Sequence, residues 1–157
     1  MIRIYYGEGH GKSSAALGLA VRGAMEGRTS IIIQFLKSSS ELNKEFLKRL
    51  EPELKVFRFE KFESSFEELR ETQKQEETNN IRNGLNFARK VLSTGECDLL
   101  VLDELLGLVD EGVVTMQDVV SLLDANFLDI NVVLTGRVLP EELAERADEI
   151  CQIENEK

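Results

Sequence analysis

The segment Gly7-Glu8-Gly9-His10-Gly11-Lys12-Ser13-Ser14 constrains the fold of this chain more than any other stretch. It stands between a short β-prone run, Ile2-Arg3-Ile4-Tyr5-Tyr6, and a helical stretch from Lys12 to about Glu26. In that stretch Leu17, Ala20, Val21 and Ala24 recur at three- and four-residue spacing, the stripe of a helix lying on a core. Strand, glycine-rich turn and helix are the context a phosphate-binding loop needs. Glycines let the backbone curl until several N–H groups face one anion, and the helix N-terminus adds partial positive charge. Lys12 supplies a full charge for bridging phosphate oxygens, and the Ser13 hydroxyl suits a Mg²⁺ ion. The usual loop has four residues between its first glycine and the Gly-Lys pair; here Gly7 and Gly11 enclose three. A shorter amide cradle should hold a polyphosphate in a different register. His10, the only histidine, either adds a donor to a phosphate or faces solvent.

Downstream, strands and helices alternate. Ser30–Leu36 is apolar and β-branched, as a strand covered on both faces should be. Glu41–Leu50 reads as a helix, Leu54–Phe59 as a strand, and Thr72–Ser93 as a long amphipathic helix through Ile81, Leu85, Ala88 and Leu92. Residues 60–77 hold seven glutamates and read as a solvated surface anchored by Phe62 and Phe66. Asp98–Asp103 is a strand, Met116–Asp124 a helix, Asn131–Thr135 a strand, Pro140–Arg146 a helix and Ile150–Ile153 a last strand. This order predicts one α/β domain over 1–157, a mainly parallel sheet with helices on both faces. Ligands then bind at the carboxyl ends of the strands.

Two further motifs fall at such ends. Leu99-Leu100-Val101-Leu102 leads into Asp103-Glu104, a hydrophobic strand closing on two carboxylates. Paired with a phosphate loop in one sheet, such acids hold Mg²⁺ or its water shell, so Ser13, Asp103 and Glu104 are the candidate metal residues. Val132-Val133-Leu134-Thr135-Gly136-Arg137 ends on a guanidinium able to clamp phosphate oxygens bidentately. Lys12, Glu104 and Arg137 are the candidate catalytic residues. The candidate nucleotide-binding residues are Gly7, Glu8, Gly9, His10, Gly11, Lys12, Ser13, Ser14, Arg22 and Arg137. For Arg22, on the first helix, a simple salt bridge is the competing reading.

Composition closes off several other classes. Nineteen basic against twenty-nine acidic residues give a net charge of −10, which repels a phosphate backbone and argues against a sequence-independent nucleic-acid grip. The longest apolar runs are far short of the ~20 residues a bilayer span needs. Arg3 interrupts the opening, so no secretory signal is expected. Cys97 and Cys151 match no metal spacing and read as reduced thiols of a cytoplasmic protein.

Together these motifs resemble the P-loop type of ATP:corrinoid adenosyltransferase. That family carries a shortened loop of the form Gly-Asn-Gly-Lys-Gly-Lys-Thr-Thr, matched here by Gly7–Ser14. Similar too are Ala15-Ala16-Leu17-Gly18 with Arg22-Gly23, Ile33-Gln34-Phe35, Glu71-Thr72-Gln73, Asp103-Glu104-Leu105, Thr135-Gly136-Arg137 and Ala147-Asp148. The resemblance implies a recombinase-like P-loop core, usually a homodimer. It also implies transfer of the 5′-deoxyadenosyl group of ATP to the cobalt(I) of a reduced corrinoid, with release of the whole triphosphate. By resemblance, Lys12 and the loop amides hold the triphosphate, while Ser13 and Glu104 hold Mg²⁺ with Asp103 in support. Arg137 then contacts phosphate and Arg22 the nucleoside end. ATP and Mg²⁺ are the implied cofactors. The implied partners are the corrinoid, a reductant protein such as a flavoprotein, and a second copy of the chain. Glu68-Leu69-Arg70 stands where the family has an aromatic pair, which leaves Phe57, Phe59, Phe62 and Phe66 as the candidate aromatic surface. Two other readings compete: a P-loop kinase or ATPase that breaks the β–γ bond, and a non-catalytic nucleotide- or corrinoid-binding regulator.

Overall fold

The computed structural model describes residues 1–35 and 44–157. Its strands are β1 (Ile2–Tyr6), β2 (Ser30–Gln34), β3 (Leu54–Arg58), β4 (Leu99–Asp103), β5 (Asn131–Gly136) and β6 (Glu149–Gln152). Its helices are α1 (Lys12–Met25), α2 (Lys44–Lys48), α3 (Glu71–Thr94), α4 (Leu105–Asp110), α5 (Met116–Asp124) and α6 (Glu141–Ala144), with a 3-10 turn at Phe66–Glu68. The six strands form one sheet in the order β3-β2-β4-β5-β1-β6, every pairing parallel. The expected parallel α/β architecture is therefore present. Leu36 and the first residues of the expected Glu41–Leu50 helix lie outside the described residues.

Strand alternation divides the core between the two faces. Ile31, Ile33, Phe35, Leu100, Leu102, Val132 and Leu134 pack with Ile81, Leu85 and Ala88 of α3 and Val119 and Leu122 of α5. On the other face Ile32, Val101 and Val133 pack with Ala16 and Ala20 of α1. The first helix turns slightly from the expected stripe: Ala16 goes inward and Val21 is left exposed.

Two readings need correction. Leu105–Asp110 is a helix that the sequence pattern did not show, because Leu-Leu-Gly-Leu-Val-Asp is apolar nearly all round and under two turns long. Glu77 is not solvated. It is 3% exposed and accepts the N–H groups of Lys61 and Phe62 and the amide of Asn80, which fastens the acidic loop to α3. Phe57 and Phe59 are half-buried and pack against Phe87, at centroid distances of 4.7 and 5.6 Å. Phe66 lines a cavity about 240 Å³ in volume with Leu69, Ile81 and Leu108. Both cysteines are free, and burial pushes the Cys97 thiol up to about 11, leaving it inert.

Candidate nucleotide and metal site

The sheet order decides how the motifs meet. β5 lies between β1, which carries the loop, and β4, which carries the acids. Neighbouring strands are ~4.8 Å apart, so the loop and the acids start about two spacings apart. Helix α1 closes that gap: Ser13, in its first turn, donates its hydroxyl proton to Asp103 Oδ1 at 2.8 Å. The same oxygen accepts the hydroxyl of Thr135, at the end of β5, also at 2.8 Å. Thr135 Oγ1 in turn accepts the N–H of Glu104 at 2.8 Å. One hydroxyl on the intervening strand thus holds both members of the acidic pair.

Thr135 was quoted above only as part of a motif; its role needs the strand order. The available signal was its place, a polar residue closing an otherwise apolar strand, as Asp103 closes β4. Thr135 is fully buried and Asp103 is 3% exposed, so this network has no water to fall back on. Gly136 follows for a steric reason. A Cβ there would run into Leu106 Cβ and reach Gly107 N at 3.1 Å, because α4 packs against the end of β5.

Lys12 is buried within its own loop. Its ammonium donates to the carbonyls of Gly7 and Gly9, both at 2.7 Å, which leaves one N–H for an incoming anion. Ala15 N–H is bonded to Gly11 O, so the amides of the first turn before it have no acceptor one turn back. The outer amides of the loop are used differently. Gly9 N–H donates to Ile153 O at 2.8 Å, Glu8 N–H to Glu154 Oε1 at 3.4 Å, and His10 N–H to Asn155 Oδ1 at 3.3 Å. Residues 153–155 therefore strap the outside of the loop, close enough that a Cβ on Gly9 would lie 2.6 Å from Ile153 O. Only the inner amides and Lys12 remain for phosphate.

Arg137 is exposed, with Nε 3.9 Å from Glu8 Oε2 across the mouth of the loop. The structure does not bring Arg22 to this site. It lies in the last turn of α1, ten residues beyond Lys12 and so about 15 Å along the helix. There it pairs with Glu26 at 3.6 Å and lines a groove with Arg3, Arg28 and Asp98 at the other end of the sheet. The salt-bridge reading describes Arg22 in this chain.

The donor set suits a hard cation. Ser13 spends its proton on Asp103, which leaves its oxygen lone pairs free, and the second Asp103 oxygen and Glu104 add carboxylate oxygens. No cluster of three or more His, Cys, Asp or Glu able to hold a metal occurs among the described residues. A cation here needs water and phosphate oxygens to complete its shell, which is how Mg²⁺ is usually held.

Glu104 is held in the left-handed region, φ 62°, as the residue that caps α4. Its carboxyl is raised above the usual range, first by burial and then by Asp103, while Lys12 and Arg137 pull it back. The folded state thus favours the neutral acid. Its contribution to stability is complete below the ordinary glutamate pKa and is lost as pH rises through the raised folded value. At neutral pH the cation-free protein carries a destabilising charge there. Glu104→Gln should accordingly melt above wild type near neutral pH without divalent cation. That advantage should vanish below about pH 4. Thermal scans across pH check this, and a lower melting point for Glu104→Gln near neutrality would show that the ionised form is the stabilising one.

Known proteins similar to this chain are found both by fold and by sequence. Among solved structures, a KaiC-like protein from Pyrococcus horikoshii OT3 superposes with a TM-score of 0.58 at 16% identity, covering 87% of this chain and 60% of that one. The flagellar accessory protein FlaH of Methanocaldococcus jannaschii gives a TM-score of 0.56 at 17% identity, over 96% and 69%. Both likenesses concern the fold alone. In sequence, the corrinoid adenosyltransferase of Escherichia coli K12 is 28% identical over 154 residues, covering 98% of this chain and 76% of that protein. Salmonella typhimurium LT2 corrinoid adenosyltransferase CobA gives the same values. The family model for ATP:corrinoid adenosyltransferase BtuR/CobO/CobP matches residues 1–157. That match over the whole chain shows that this protein belongs to that family of transferases.

Proposed function

We propose that the protein transfers the 5′-deoxyadenosyl group of ATP to the cobalt(I) of a reduced corrinoid and releases intact triphosphate. The observation that carries this reading is the short loop with its outer amides turned outward. The amides of Glu8, Gly9 and His10 face residues 153–155, so the anion cradle is confined to Lys12 and the first turn of α1. A triphosphate that the loop grips only there sits in a displaced register, which favours exposure of the ribose C5′ over alignment of the γ-phosphate.

The electron balance is that of a displacement at carbon. The cobalt(I) electron pair forms the cobalt–carbon bond, and the C5′–O pair leaves with the triphosphate. This chain's part is to stabilise the leaving group. Lys12 offers its remaining N–H, the inner amides add fixed dipoles, and Arg137 swings from Glu8 onto phosphate oxygens. Ser13, Asp103 and Glu104 would hold Mg²⁺, which supplies further charge neutralisation when bound. The negative surface disfavours a nucleic acid, while a small anionic ligand can still be gripped by a few local donors. The same reading expects a reductant protein such as a flavoprotein, a second copy of the chain, and a cytoplasmic setting.

The test is which bond breaks. After turnover with ATP, Mg²⁺ and chemically reduced cobalamin, ³¹P NMR should show inorganic triphosphate with ADP near background. ADP and orthophosphate as main products would sink this reading and favour a kinase or ATPase that aligns the γ-phosphate for attack on phosphorus.

A further inference from the structure

Ile33-Gln34-Phe35 is a motif of this chain that the site above leaves unexplained. Ile33 and Phe35 need nothing more, since both are buried in the core beneath α3. Gln34 alternates to the other face, that of Ile32 and α1. It is 6% exposed, a polar side chain closing an otherwise apolar strand. In register it stands opposite Asp103. Together with Ser13, Ser14 and Asp103 it lines a cavity of about 100 Å³.

The orientation of its amide follows from its neighbour. Arg58 Nη2 donates to Gln34 Oε1 at 3.1 Å. A guanidinium has no acceptor, so the amide oxygen must face Arg58 and the NH₂ group must face away. Among the described residues that Nε2 is neither sealed from solvent nor paired with an acceptor. A donor cannot ligate a cation, so Gln34 is not a metal ligand despite its place beside Ser13 and Asp103. An N–H group in this cavity calls for an anionic oxygen. Asp103 Oδ1 is already taken by Ser13 and Thr135. A positive side chain at this position would instead pair with Asp103 and close the cavity.

We propose that Gln34 contacts the substrate, its amide N–H donating to a phosphate oxygen of the nucleotide held over Ser13. This rests on the reading of the loop as a nucleotide site and adds a contact from β2 to those from α1. The test is equilibrium ATP binding by calorimetry on the full chain, first in EDTA and then with added Mg²⁺. Gln34→Glu keeps an acceptor for Arg58 but replaces the donor by a negative charge, and metal-free ATP affinity should fall ~10-fold, with most of the loss recovered as Mg²⁺ is added. Gln34→Met, neutral and of similar size, should lose roughly fivefold in EDTA with a melting point near wild type. Arg58→Met removes the neighbour but not the donor and should cost less than Gln34→Met. Wild-type affinity in Gln34→Met would overturn the contact. Equal losses in Gln34→Met and Arg58→Met would also overturn it, leaving Gln34 only the task of holding the strand end. If Lys12→Ala too binds ATP like wild type, the nucleotide reading itself has failed.

Discussion

Lys12→Ala is expected to lower kcat/KM for adenosyl transfer by at least ~10²-fold, equivalent to about 2.7 kcal/mol of lost transition-state stabilisation. The charge on a departing triphosphate grows as the carbon–oxygen bond breaks, and a preorganised ammonium is worth most where charge develops. Lys12 is preorganised: it is 8% exposed and fixed by two loop carbonyls at 2.7 Å before any ligand arrives. In a chain of net charge −10 no bulk field compensates for its loss. The fold should survive, because the loop is also held from outside by residues 153–155 and from below by the Gly7 N–H bond to Arg137 O at 3.0 Å. Steady-state kinetics with a circular-dichroism control decide the matter. Wild-type-like turnover in a folded variant would remove the loop from the mechanism.

Thr135→Val is expected to damage both stability and metal use although Thr135 is not itself placed to hold the metal. Valine fills the same volume but removes the hydroxyl that donates to Asp103 and accepts from Glu104 N–H. A buried N–H without an acceptor costs about 1–3 kcal/mol, and Asp103 loses one of two donors besides. For a domain of this size each kcal/mol moves Tm by about 2–4 °C, so a drop of roughly 5–10 °C should follow. Freed on one side, Asp103 and Glu104 should also need ~10-fold more Mg²⁺ for half-maximal rate, by the usual effect of losing a group that orients ligands. Thr135→Ser, which restores the hydroxyl, should recover the metal requirement even if it packs less well. A Thr135→Val enzyme with wild-type Mg²⁺ dependence would reduce Thr135 to a packing residue.

The phosphate loop was legible because its chemistry is local: glycines, a lysine and a serine placed between a strand and a helix. The acid pair was legible for the same reason, as Asp103-Glu104 closes an apolar run. Most strands were legible as β-branched stretches of the right length. What stayed hidden depends on neighbours distant in sequence. Thr135 gains its meaning only when β5 inserts between β1 and β4. Glu77 looks like one glutamate among seven until the chain folds Lys61 and Phe62 back onto it. Phe57 and Phe59 look like free aromatics until Phe87 of α3 packs against them. Arg22 shares the helix of Lys12, but the rise of that helix carries it away from the loop.

The strap across the loop bears on the order in which the protein comes into being. Glu8 and Glu154 are 146 residues apart in sequence, as are Ile2 and Asp148, joined by a 2.7 Å bond from the Ile2 N–H to the Asp148 carboxylate. β1 is flanked by β5 and β6, so both of its partners leave the ribosome long after it does. Until then the first strand and its glycine turn have no template, and their amides are satisfied only by water. Pairings that close so long a loop pay their entropy late and form slowly. A nascent chain should be unable to grip a triphosphate until its residues near 155 have emerged. Nucleotide affinity is then a reporter that residues 153–155 have been made and docked, and fragments cut short of residue 153 should neither bind ATP nor be rescued by it from unfolding.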